Sequence, residues 1–153
     1  MHKKKLLLIS FITILLLAIF HILALKFSWY WRFRWIHIFA HIAGGFWIAL
    51  MSLWIALKIG HIEKITHYKK RALIVMLGSA LLVGILWEVF ELIFKIDLVQ
   101  SIGYWPYTSI AVAGDFTGGI IAYLYFMKDK KTANILPAKP ENNLILPMII
   151  KTN

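Results

Sequence analysis

The chain has 153 residues, of which 61% are hydrophobic, and it includes 10 Phe and 7 Trp. A water-soluble domain of this length cannot bury so much apolar surface, so composition excludes a soluble globular fold and requires lipid as the solvent. The net charge of +10 would suggest nucleic acid in a soluble protein. Here Lys and Arg cluster between apolar stretches, as in loops beside membrane spans, and we expect no nucleic-acid partner. The lack of cysteine excludes disulfides and thiolate metal sites.

Four apolar segments are long enough to cross a membrane, since a ~30 Å hydrocarbon layer takes ~20 residues of helix. They are Leu6–Leu25, Ile36–Ile59, Ala72–Phe94 and Ser109–Met127. The first follows Lys3–Lys5, as a signal peptide would, but its length and its lack of a clear cleavage site favour a retained span. We therefore predict an all-α, four-helix transmembrane bundle over residues 1–127.

The distribution of positive charge predicts the orientation of these spans. With the N-terminus inside, the cytoplasmic segments carry eleven Lys and Arg before the distant Lys139 and Lys151, whereas the opposite segments carry four. The positive-inside rule then places both termini in the cytoplasm and the protein in the cytoplasmic membrane. The tail of residues 128–153 contains Pro and Asn and lacks the length of a span. We predict that it is mostly disordered, with Leu144–Ile150 on the membrane interface.

Ionisable residues inside the spans are the strongest functional signal. They are His21, His37, His41, Glu88, Glu91 and Asp115. A charge at a helix centre costs roughly 2.5–3.5 kcal/mol on insertion scales, so such residues usually face a bundle interior and mark a function. If consecutive spans run antiparallel, all six lie toward the same membrane face, which the charge count makes the outer one. We predict a single outward-facing pocket.

Helical spacing indicates that these side chains point into the bundle. His37 and His41 are four residues apart and therefore stack on one face of the second span. Gly84, Glu88 and Glu91 form one stripe on the third span at spacings of four and three. Small residues at such spacing let helix backbones approach closely, so the polar residues share the packing faces.

The chemistry of the cluster stays open on the sequence alone. Close carboxylates in a low dielectric favour a neutral acid beside an ionised base, which makes His41, Glu88, Glu91 and Asp115 candidate catalytic residues. Two His with carboxylates could also bind zinc or iron, but the His-x3-His spacing lacks the Glu of the zinc-protease motif, and we assign no metal ligand or cofactor. The alternatives are an ion or proton pathway, and a scaffold whose polar cluster only orders the helices.

Aromatic residues alternate with arginines in the first outer connection, Ser28–Trp35, and a second aromatic cluster occupies Gly103–Tyr107. Both fit the interfacial belt, in which Trp and Tyr anchor helix ends. Alternatively, Arg32 and Arg34 pair with a phosphate while the rings hold a lipid chain. An anionic envelope lipid is then the expected partner, with a homo-oligomer left open. The candidate substrate-binding residues are Arg32, Arg34, His37 and Trp87.

Three short motifs lie on successive spans within Ile36–Met127. They are His41–Phe46 (HIAGGF), Trp87–Glu91 (WEVFE) and Asp115–Gly119 (DFTGG). In this order they resemble the motifs of small bacterial membrane families of the YjdF and VanZ-like kind. The resemblance implies a multi-pass inner-membrane protein, and VanZ-like members are linked to glycopeptide-antibiotic susceptibility at the cell envelope. It implies no particular reaction.

Overall fold

The chain folds into helices throughout the part that the computed structural model describes, residues 2–33, 35–60, 68–94 and 104–128. The elements are α1 (His2–Lys26), α2 (Trp29–Arg32), α3 (Trp35–Lys58), α4 (Tyr68–Ile93) and α5 (Tyr104–Lys128), with no strand among the described residues. All but the short α2 are long and apolar enough to cross a membrane. The predicted all-α class is confirmed for the described residues, as is the prediction of four helices long and apolar enough to span a membrane. The orientation of the termini stays a prediction.

The helices extend beyond the apolar segments at three of their starts. α1 begins at His2, four residues before the predicted Leu6, α4 begins at Tyr68, four residues before Ala72, and α5 begins at Tyr104, five residues before Ser109. The added turns are rich in basic residues in α1 and α4 and are aromatic with a proline in α5, so hydropathy does not count them as part of a span. The predicted tail, including Leu144–Ile150, lies outside the described residues.

The short helix α2 was not predicted. It follows Ser28, whose backbone is left-handed at φ 56°, and it ends at the extended Phe33. Such a left-handed residue reverses the chain direction sharply between two helices. This turn lays α2 across the end of the bundle instead of continuing α1.

Helix α3 is the central element of the bundle. It packs along α1, α4 and α5, and α4 and α5 also pack on each other. Three helices thus form a closed core, while α1 packs mainly on α3 at the edge of that core. This arrangement places one face of α3 against α4 and α5 along its length.

The half of the bundle that holds the start of α1 has an apolar interior. Its fully buried side chains include Leu50, Leu53 and Met76. A small polar contact lies at its edge, where the Ser79 hydroxyl donates to the Ser52 hydroxyl at 2.7 Å. Among the described residues, the buried ionisable side chains lie in the opposite half.

Glycines allow α3 and α5 to cross with their backbones in contact. A Cβ atom on Gly118 would overlap the backbone of Ile42 and Phe46, and one on Gly45 would overlap the backbone of Asp115. Close approach of this kind at small residues is the usual basis of helix packing in membranes. Gly45 of the second span and Gly118 of the fourth therefore set the distance between α3 and α5.

We expect Gly118→Ala to lower the free energy of unfolding by about 1–3 kcal/mol or more, because the new methyl group meets backbone that cannot move aside. The measurement is SDS titration of the protein in mixed micelles, followed by circular dichroism. Gly78→Ala is the matched control, since a Cβ at Gly78 meets nothing within 4 Å. Equal stability of the two variants would contradict the packing described here.

Candidate functional site

A buried histidine and aspartate form the centre of the polar half. The Nδ1 atom of His41 on α3 lies 2.9 Å from Oδ2 of Asp115 on α5, and both side chains are buried. An ionised carboxylate can only accept a hydrogen bond, so Nδ1–H of His41 donates to Asp115. The other ring nitrogen, Nε2, is thereby left with a lone pair when the imidazole is neutral.

Three glycines make room for Asp115. A Cβ at Gly45 would overlap its backbone, a Cβ at Gly84 would overlap its carboxylate, and Gly44 lies beside its Oδ1 atom. Gly45, which follows His41, and Gly84, which precedes Glu88, have no side chain because Asp115 fills the space that one would need. Seating Asp115 in this way holds its carboxylate against the imidazole.

Two further groups approach the free nitrogen of His41. The Nε2 atom of His37, one turn earlier on α3, lies 3.3 Å from Nε2 of His41, and Oε1 of Glu88 lies 3.5 Å from it. Because Nε2 of a neutral His41 accepts, His37 must donate its Nε2–H across this contact. His41 thus stands between a carboxylate on one nitrogen and an imidazole and a second carboxylate on the other.

Glu88 is buried without a hydrogen bond. Its exposed fraction is 2%, and neither carboxylate oxygen has a hydrogen-bond partner among the described residues. Buried carboxylates in native proteins are nearly always hydrogen-bonded, so an unpartnered one calls for an explanation, such as an ordered water, a bound ion or a catalytic role. Thr108 on α5 is on the side of Glu88, but its hydroxyl is not within hydrogen-bond geometry.

Glu91 lies one turn further along α4 and is fixed by a tryptophan. The Trp87 indole N–H donates to Oε1 of Glu91 at 2.8 Å, while Oε2 has no hydrogen-bond partner in the described part of the chain. His37 is the nearest imidazole that acts on this carboxylate electrostatically. Trp87 is itself half-exposed at the bundle surface, whereas Glu91 is buried.

Two tyrosines enclose the imidazoles, and the sequence analysis assigned neither to the site. Tyr107 on α5 stacks on His37 with ring centroids 4.5 Å apart, and buried Tyr30 on α2 meets His37 edge-on at 6.4 Å. Burial raises the pKa of the Tyr30 phenol, and the negative charge of Glu91 raises it further. Both tyrosines belong to aromatic clusters that fit an interfacial belt, so the sequence does not indicate their contacts with the imidazole of His37.

The six predicted ionisable residues do not all meet. His37, His41, Glu88, Glu91 and Asp115 converge, whereas His21 is exposed on α1. His21 reaches the others only through Tyr30, whose hydroxyl lies 2.8 Å from its Nδ1 atom. Because the phenol stays protonated, it can donate this hydrogen bond and so tie α2 to α1.

Of the two arginines predicted to bind a headgroup, the structure describes the side chain of one. Arg32 is exposed at the end of α2, and Arg34 lies outside the described residues. Their proposed contact with a phosphate stays a prediction.

Comparison of the chain with protein-family models, curated proteins and solved structures gives no match. The resemblance to YjdF and VanZ-like families stays a prediction. Among the described residues, no three His, Asp or Glu side chains are already arranged around one metal position.

We expect Gly84→Ala to displace the Asp115 carboxylate from His41, because the added methyl group would occupy its position. In a protein labelled with ¹⁵N-histidine in micelles, the buried Nδ1–H of His41 should give a slowly exchanging, low-field proton signal. This signal should be lost in Gly84→Ala and in Asp115→Ala, and kept in Gly78→Ala on the same helix. An unchanged signal in Gly84→Ala would show that the carboxylate is not held as described.

Proposed function

We propose that the polar half of the bundle binds and processes an anionic envelope lipid by acid–base chemistry. The observation that carries this proposal is the arrangement around His41, where Asp115 contacts one ring nitrogen and Glu88 approaches the other. A base oriented by a carboxylate, with a second carboxyl group beside it, is the arrangement that general acid–base catalysis uses.

Each residue of the cluster has a distinct part in this proposal. Nε2 of His41 takes the proton of an attacking hydroxyl group as its oxygen bonds to phosphorus, and protonated Glu88 gives a proton to the oxygen whose bond to phosphorus breaks. Asp115 is a positioning residue, because it acts on the reaction through the tautomer and orientation of His41. Glu91 is kept in place by Trp87 and interacts electrostatically with His37.

The surroundings of the cluster suit a lipid. The excess of Lys and Arg on the other connections places the polar half toward the outer face, where Arg32 and Arg34 can pair with a phosphate. Trp87, Phe90 and Phe94 form a continuous series of ring contacts on the exposed surface of α4. An acyl or isoprenoid chain can lie along these rings while its headgroup reaches Glu91 and the imidazoles.

A purely structural role explains the cluster less well. A clasp that only orders helices would satisfy its buried polar atoms, because a half-satisfied network is less stable than an apolar core. Both oxygens of Glu88 and one of Glu91 instead lack hydrogen bonds within the described residues. An ion or proton pathway would also have to pass the apolar half, where Leu50, Leu53 and Met76 fill the interior.

The proposal predicts that Glu88→Gln abolishes turnover or tight binding of an anionic lipid while the protein stays folded. The protein is reconstituted in nanodiscs of phosphatidylglycerol, of phosphatidylcholine and of extracted envelope lipids, and bound and converted lipids are identified by mass spectrometry. Ser79→Ala, a polar change in the apolar half, serves as the control. Wild-type binding and turnover in Glu88→Gln would remove the central claim.

The proposed contact between Arg32 and the headgroup is tested separately. Arg32→Gln should weaken the preference for phosphatidylglycerol over phosphatidylcholine about tenfold, the loss of one charge-assisted contact. Arg71→Gln, which removes an exposed arginine at the start of α4, should leave the preference unchanged. If instead proteoliposomes conduct protons and Asp115→Asn stops the flux, the pathway is the better function.

A further inference from the structure

The charge of the cluster conflicts with an anionic ligand. Glu91 and Asp115 contribute two formal negative charges, and Glu88 contributes a third when it is ionised. Two neutral imidazoles offset none of them. Repulsion between like charges is strong in a buried site, where water does not screen it. A phosphate headgroup as proposed above would increase the repulsion unless a cation enters the site with it.

The spacing of the two imidazoles matches a metal site. In tetrahedral coordination with metal–nitrogen bonds of 2.0–2.1 Å, two ligand atoms lie roughly 3.3 Å apart. The Nε2 atoms of His37 and His41 are 3.3 Å apart, and Oε1 of Glu88 is 3.5 Å from Nε2 of His41. Both atoms therefore lie at a distance from Nε2 of His41 that neighbouring ligands of one ion would have.

The far side of His41 has the partner that metal-bound histidines require. Metal-ligating imidazoles almost always donate their other N–H to a carboxylate or carbonyl, which fixes the tautomer and raises the basicity of the ring. Asp115 accepts this hydrogen bond at 2.9 Å in a space that three glycines keep free for it. The geometry commits Nε2 of His41 to act as an acceptor or a ligand.

The surroundings of Glu88 independently favour the binding of a cation. It is 98% buried, given its exposed fraction of 2%, and both oxygens lack hydrogen bonds among the described residues. Oε2 of Glu91 is in the same condition. Unpaired buried carboxylates are costly, whereas a bound cation would offset them directly.

We propose that His37, His41 and Glu88 bind a divalent transition-metal ion, with Asp115 orienting His41 behind it. The inference rests in part on the proposed function and replaces two roles in it. With the ion bound, Nε2 of His41 and the Glu88 carboxylate are ligands and no longer the base and acid, and the ion would leave a coordination position for a phosphate oxygen of the lipid. The three donors do not yet surround one point in the described structure. Closing the site requires the Nε2 proton of His37 to leave or to move to Nδ1. It also requires the Glu88 side chain to rotate, and its oxygens have no hydrogen bonds to break among the described residues.

The test uses the full-length protein in nanodiscs, stripped of metal with a chelator and then dialysed against Zn²⁺. We expect one zinc per chain by elemental analysis and a rise in the midpoint of thermal unfolding. Stoichiometric binding should be lost in His37→Ala and Glu88→Gln and kept in His21→Ala, a matched histidine outside the cluster. Asp115→Asn should keep the site but weaken zinc binding roughly 10- to 100-fold.

A second measurement needs no variant. Co²⁺ added to the metal-free wild-type protein should give the intense visible absorption of a four-coordinate site, and Zn²⁺ should displace it. Zinc retention that is equal in wild type, His37→Ala and Glu88→Gln, together with no cobalt spectrum, would overturn the proposal. A proton shared between Glu88 and the imidazoles would then account for the buried charge.

The two proposals fail separately. If the metal-free protein still binds and converts an anionic lipid as the zinc-loaded protein does, the metal is not needed and the lipid function stands. If zinc binds as described but phosphatidylglycerol is not preferred over phosphatidylcholine, the metal site stands and the lipid function fails.

Discussion

The contact between the backbones of α3 and α5 is the constraint on which the polar half depends. Gly45 and Gly118 bring the two helices together, and the same approach seats Asp115 against His41. A larger residue at either glycine would separate the helices and lengthen the 2.9 Å hydrogen bond. Packing and chemistry are therefore not independent here, because the residues that stabilise the helix pair also fix the tautomer of the central imidazole.

This constraint explains why the polar groups concentrate in one half of the bundle. The buried residues of α3 change along its length, from imidazoles near its start to leucines such as Leu50 and Leu53 further on. The apolar half provides the close packing that offsets the cost of burying charge in the other. Helix α2 then covers the open end, where Tyr30 contacts His37 and is tied to α1 through His21.

The sequence predicted most of the fold, because a span is a local property of about twenty apolar residues. It predicted the inward direction of Glu88 and Asp115 for the same reason, since helical spacing alone places them on the small-residue faces. The sequence did not predict α2 or the contacts of Tyr30 and Tyr107 with His37. Those depend on a left-handed turn at Ser28 and on contacts between distant elements, neither of which leaves a periodic pattern.

The lack of hydrogen bonds to the Glu88 carboxylate distinguishes the possible roles of the cluster better than the types of residue in the cluster do. An arrangement selected only for helix order would pair each buried carboxylate with a donor, and Trp87 shows that α4 can supply one to Glu91. Glu88 has no such donor among the described residues, although it lies beside two imidazoles. A group left in this condition is suited to an incoming partner, a cation, a proton or a substrate atom, because binding then removes a cost that folding left in place.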